Sequence, residues 1–180
     1  MKKPLVVSVA GIEGMGVTVA CNRVAYCLNK LGINTVTAKL GNPKATERWE
    51  DNFILGKYKG VDVVILIRHG FTHSAVKQRL TTAKCRFQPD SVRPNFAVLM
   101  TCDDDTYGFR NNINVRQVLH GEAANQLARL KLYRSLEWPH WGTKRVYALD
   151  TGGEHGRLKA AGSIKRLIMQ ELEYAKNSIA

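Results

Sequence analysis

The chain is poor in acid, in paired cysteine and in long apolar runs, and each shortage removes a class of protein. Acidic side chains number 15 against 27 Lys and Arg in 180 residues, a formal net charge of +12. That imbalance favours an anionic partner: a nucleotide, a nucleic acid or a phosphorylated substrate. There is no tail of like charges, so the basic residues belong to a folded surface. The four cysteines, Cys21, Cys27, Cys85 and Cys102, form no CxxC pair, which leaves neither a zinc site nor a disulfide framework signalled. The longest apolar stretches, LVVSVAGI and VDVVILI, fall far short of the roughly 20 residues that a membrane-spanning helix needs. The first residues reach glycines and a glutamate too early for a secretory signal, so a cytoplasmic location is expected. Internal repeats and low-complexity segments are absent as well.

What is there alternates. PLVVSVA reads as a buried strand and TVACNRVAYCLNKLG as a helix with Ala20, Val24, Cys27, Leu28 and Leu31 on one stripe and Gly32 as its stop. INTVTAKL is a second strand, followed by the loose, polar GNPKATERWEDNFILGKYKG. VDVVILI reads as a strand buried on both faces, THSAVKQRLTTAKC as a helix and PNFAVLMTC as a strand with DDDTYGFRNN as its polar exit. VRQVLHGEAANQLARLKLYRSL is a long helical segment and KRVYALD the last strand. KAAGSIKRLIMQELEYAK closes the chain with Ile164, Leu167, Ile168, Glu171 and Leu172 in helical register. The length suits one domain over residues 1–180, and the alternation predicts an α/β fold, a parallel sheet with helices on both faces.

In such folds ligands bind beyond the carboxyl ends of the strands, and the first strand-to-helix loop is the usual phosphate cradle. Here that loop is AGIEGMGVT. A phosphate loop of the pattern G-x-x-x-x-G-K-S/T uses glycines so that successive backbone N–H groups can wrap an anion at a helix N-terminus. Gly11, Gly14 and Gly16 supply the wrapping, with Glu13, Met15 and Val17 between and after them, and Thr18 supplies the hydroxyl that would hold a magnesium ion. Val17 stands where the lysine belongs.

AGIEGMGVT resembles the EGLEGAGKT type of loop in thymidylate kinases: Gly11, Glu13, Gly14, Gly16 and Thr18 match, while Ala10 and Val17 depart. LIRHGFTHSA is similar to that family's Asp-Arg-aromatic segment, with Arg68, Thr72 and Ala75 in register. PNFAVLMTCDDDTYGFR resembles the strand that leads to the lid, with Arg110 at the arginine that opens it and a short lid-like segment near 110–122. The ending follows the family's helix, strand and final helix. The resemblance covers most of the chain in order. It implies a P-loop nucleoside monophosphate kinase-like fold, ATP or another nucleoside triphosphate with Mg as cofactors, and a deoxynucleoside monophosphate as acceptor. It also leaves room for a homodimer.

Two departures matter. The loop lysine holds donor phosphates and the aspartate before the arginine organises metal and acceptor; here those positions are Val17 and Ile67. Phosphoryl transfer rests on positioning and positive charge. Losing one such preorganised charge costs on the order of a hundred- to a thousandfold in rate. The charge can also arrive from elsewhere, since the arginine fork suits phosphate. Arg68, Arg110 and Arg116 are the candidates at the reacting group, and Lys39, Phe71 and Thr72 at the acceptor, with Trp49 a further aromatic that could stack on a base. The Asp103–Asp105 triplet offers a divalent ion only a solvated turn. Two classes stand side by side: a Lys-less phosphotransferase, and a catalytically silent kinase-fold module that binds a nucleotide or, through its charge, nucleic acid. A partition-type ATPase ranks third, because it too needs the lysine.

Overall fold

A computed structural model describes residues 3–12, 14–40, 43–67, 92–113, 115, 121–135, 143–153 and 155–177. Along the chain these form β1 (Leu5–Ala10), α1 (Val17–Lys30), β2 (Thr35–Lys39), α2 (Pro43–Ile54) and β3 (Val63–Ile67), then β4 (Phe96–Thr101), α3 (Asp104–Arg110), α4 (Glu122–Ser135), β5 (Val146–Asp150) and α5 (Gly156–Asn177). The strands make a five-stranded sheet in the order β2-β3-β1-β4-β5, and every neighbouring pair runs parallel. All carboxyl ends therefore meet at one edge.

The central strands have no solvent-facing side to carry polar alternates: β3 is buried at every residue, and β1 and β4 at all but one each, while exposed positions fall on the edge strands β2 and β5. Val7 lies beside Ile65, and Val9 beside Ile67 and Val98. These residues share a core with Val24 and Leu28 of α1 and with Ile164 and Ile168 of α5. The alternate positions Val6, Val64 and Leu66 form a second core with Leu40 and with Trp49 of α2. Helix α4 contributes Leu127, Leu130 and Tyr133 to the larger core. Helices thus cover both faces, as the alternation predicts. No described helix is long and apolar enough to cross a membrane.

Differences from the sequence reading are local. The polar segment expected to be loose contains α2, opened by Pro43 at the first helical position, where its fixed φ is suited and its missing N–H goes unneeded. Trp49 and Phe53, four apart on one stripe, stack at 5.3 Å between ring centroids, and Tyr58 closes the cluster at 6.1 Å from each. Trp49 is 3% exposed, which makes it core and removes it from the base-stacking candidates. The polar exit of β4 contains α3. The segment expected to be helical from 115 onwards begins its described helix at Glu122, behind Gly121 with φ +87°. The α1 stripe stops a turn early: Leu31 is 58% exposed. The expected helix over 72–85 lies outside the described residues.

Trp49→Ala is expected to cost about 3–5 kcal/mol of stability, read from urea unfolding. Trp49→Phe should cost much less, because it also removes an indole N–H that is buried without a partner. An unchanged midpoint in Trp49→Ala would place this side chain outside the core.

Candidate functional site

β1 is central, and the chain winds away from it in opposite directions: α1 leads outward to β2, while β4 on its other side leads to β5. The crevice beyond β1 and β4 is the switch point at which such sheets bind ligands. Gly11 occupies it. A Cβ at Gly11 would stand 2.8 Å from the Met100 carbonyl oxygen and 2.9 Å from Val17 Cγ2, so no larger residue fits between the two strands. Gly14 and Gly16 take φ of +86° and +75°, a left-handed conformation that β-carbons resist. Gly16 is the N-cap of α1 and brings no side chain to cap it. The first N–H groups of a helix lack intrahelical partners, and together with the helix dipole they favour an anion.

Within the loop, Met15 is fully buried and Val17 is 4% exposed, both turned into the core. Thr18 is half-buried in the first turn of α1. Its hydroxyl is a single protein oxygen, and no cluster of three or more His, Cys, Asp or Glu residues suited to a metal occurs among the described residues. That donor set fits magnesium, which keeps several waters and takes its remaining oxygens from a phosphate chain.

Three residues that the sequence reading passed over wall this loop. Asn111 faces Gly14, its Oδ1 2.7 Å from where a Cβ would be, and its own Nδ2 donates to the Tyr107 carbonyl at 2.9 Å. Arg157, in the first turn of α5, donates from Nη2 to the Gly14 carbonyl at 2.7 Å, and its Cδ lies 2.9 Å from a Cβ position on Gly16. Thr151, fully buried, ties the edge together. Its N–H and hydroxyl donate to the Thr101 carbonyl at 2.7 and 2.9 Å. Arg110 Nη1 donates to the Thr151 hydroxyl at 3.1 Å and Nη2 to the Thr151 carbonyl. Met15 Sδ sits 3.5 Å from the same hydroxyl. The local signal for these roles is weak: Thr151 and Arg157 sit in an unremarkable TGGEHGR turn, far in sequence from the loop they serve.

The structure places the other candidates as follows. Arg110 ends α3 and is engaged by Thr151. Lys39 is exposed at the carboxyl end of β2. Ile67, at the position of the family's aspartate, is 2% exposed, and its carbonyl accepts from Leu40 N–H at 2.8 Å. Glu13, Arg68, Phe71, Thr72 and Arg116 lie outside the described residues. The aspartate triplet starts a helix: Asp103 caps α3, accepting from Thr106 N–H at 2.7 Å, and Asp104 pairs with Arg134 at 2.8 Å. Cys21 and Cys102 are ordinary core groups, Cys27 is half-buried, and Cys85 lies outside the described residues. Burial pushes Cys21 up to about 12, and burial also raises Cys102, whose sulfur lies 3.8 Å from Met15 Sδ.

Solved structures share this architecture over nearly the whole chain, two of them as follows. The YorR protein from Bacillus subtilis, in complex with phosphorylated GDP, superposes with a TM-score of 0.58 at 16% identity, covering 93% of this chain and 98% of that one. Thymidylate kinase from Candida albicans gives 0.55 at 14% identity, covering 97% and 93%. The chain has the fold of the P-loop, thymidylate kinase-like proteins. No family model and no curated protein matches its sequence.

The hydrogen bonds from the Thr106 hydroxyl and N–H hold the Asp103 carboxyl below its ordinary value. A depressed carboxylate stabilises the fold above its unfolded pKa, and that contribution fades as pH falls through the folded value. Asp103→Ala is therefore expected to cost about 1 kcal/mol near neutral pH. The gap between variant and wild type should narrow in urea titrations as pH falls below the unfolded pKa and through the lower folded one. A gap that widens on acidification would exclude this role for Asp103.

Proposed function

We propose that this chain is a nucleotide-binding protein of kinase fold, seating the phosphates of ATP or another nucleoside triphosphate on the loop Gly11–Thr18. The observation that carries the reading is the loop itself: two left-handed glycines at the uncapped N-terminus of α1, at the switch point of a parallel sheet. The phosphorylated GDP held by the YorR protein supports a phosphorylated nucleotide as ligand. Magnesium would arrive with the phosphates, with Thr18 adding one oxygen. If the chain turns over, the reaction is transfer of a phosphoryl group to a nucleoside 5′-monophosphate. Arg68 and Arg116 would then stand at the moving group, joined by Arg110 once it gives up its bonds to Thr151, with Lys39, Phe71 and Thr72 at the acceptor.

One observation favours a second reading, a holder without turnover: Val17 and Ile67 are both buried apolar side chains, so neither position offers charge or metal oxygen. A nucleic-acid ligand, suggested by the +12 charge, predicts a different signature from a pocket. Affinity for a polyanion falls steeply between low and physiological salt as counterions are released.

Calorimetric titration of ATP, dTMP and the other deoxynucleoside monophosphates, with and without magnesium, followed by an assay for diphosphate, tests these readings together. We expect saturable, magnesium-assisted binding of a triphosphate. Diphosphate product would establish transfer, and binding without product would establish the holder. Heat only from DNA or RNA, lost steeply with salt, would overturn the nucleotide reading.

A further inference from the structure

The geometry points to Arg157 as the cation of the glycine loop: the charge absent at Val17 is delivered from the first turn of α5, to bind the phosphate chain of the nucleotide. This deepens the reading of the loop as a phosphate seat and rests on it. Val17 is apolar and lies in the core with Met15, so the loop brings no cation of its own at that position. Arg157 is exposed, and its guanidinium is held at the loop by the bond from Nη2 to the Gly14 carbonyl. Its Cδ occupies the space beside Gly16 that a β-carbon would need, so Gly16 makes room for this arginine as well as for its own backbone.

The donor count carries the rest. A guanidinium has five N–H groups in a planar fork. One is used on Gly14, and among the described residues no carboxylate pairs with Arg157. The contrast is Arg145, whose fork is taken up by Glu171. Among the described residues no partner takes the other four donors of Arg157, which stand beside the N-terminus of α1. The ligand class this suits, beside an anion-favouring helix N-terminus, is a di- or triphosphate, whose oxygens accept bidentate charge-assisted hydrogen bonds from the fork.

The test uses the full chain and two probes, ATP and inorganic tripolyphosphate, titrated at several salt concentrations. The variants are Arg157→Gln, Arg157→Lys, Gly16→Ala and Arg166→Gln. The last is an exposed position on the same helix, on the order of 13 Å further along it, and controls for net charge. We expect Arg157→Gln to weaken both probes about ten- to a hundredfold and to flatten their salt dependence. Arg157→Lys should recover part of the loss, Arg166→Gln should stay near wild type, and the thermal midpoint of Arg157→Gln should stay near that of wild type. Binding by Arg157→Gln at wild-type strength, with Gly16→Ala defective, would leave the loop as a phosphate seat and overturn the role of Arg157. Weakened binding with a lowered midpoint and unchanged salt dependence would also overturn it, because Arg157 would then be only a latch between α5 and the loop. If wild type binds neither probe, the loop reading falls and this inference falls with it.

Discussion

The buried hydroxyl and carbonyl of Thr151 are the point on which the ligand edge of the sheet depends. Thr151 leaves β5 and is bound at once to β4 through the Thr101 carbonyl, and to α3 through both terminal nitrogens of Arg110. Its hydroxyl also touches the sulfur of Met15 in the glycine loop. A fully buried polar residue must be satisfied, and these partners satisfy it. The same carbonyl explains Gly156, where any β-carbon would run into Thr151 O and push the start of α5 outward. Four elements from distant parts of the chain are thus registered on one residue. The placement of Arg157, one residue further on, inherits that registration.

This arrangement gives Arg110 partners inside the protein. The resemblance to thymidylate kinases places it at the arginine that opens a lid, facing the reacting group. In the structure its terminal nitrogens spend two hydrogen bonds on Thr151, and it is half-buried in doing so. Arg134 is likewise occupied, with Thr101 and Asp104. Two of the basic residues at the edge therefore stitch α3 and α4 to the sheet, and a formal net charge of +12 overstates how many cations are available to a ligand.

Most of the architecture is legible in the sequence because parallel strands buried on both faces must be apolar without interruption, and VVILI or FAVLMT admits few other readings. The alternation with helices then fixes the class. What escapes is whatever depends on sparse or distant signals. Among the described side chains of α2 only Trp49 and Glu50 are buried, with Phe53 partly so, and its stripe is lost among charged neighbours. The aspartate triplet looks like a solvated turn because capping and helix-dipole preference use the same residues that turns do. The glycines of the loop are visible, since only a backbone need explains three of them in six residues. Their neighbours are not. Arg157 meets Gly14 across 143 residues, and nothing local in GEHGRLK distinguishes it from any surface cation.

The origin of the charge also changes how the site is held. A lysine inside the loop is carried by the helix that the loop opens, so the cradle and its cation fold as one unit. An arginine on α5 reaches the loop only when α5 has docked on α1 and the Thr151 turn has closed. Binding of an anion to Arg157 and docking of α5 are then linked equilibria, and whatever stabilises one stabilises the other by the same free energy. Under the proposed role of Arg157, the core residues Ile164, Ile168 and Leu172, which seat α5 far from the loop, would become determinants of phosphate affinity without touching the ligand.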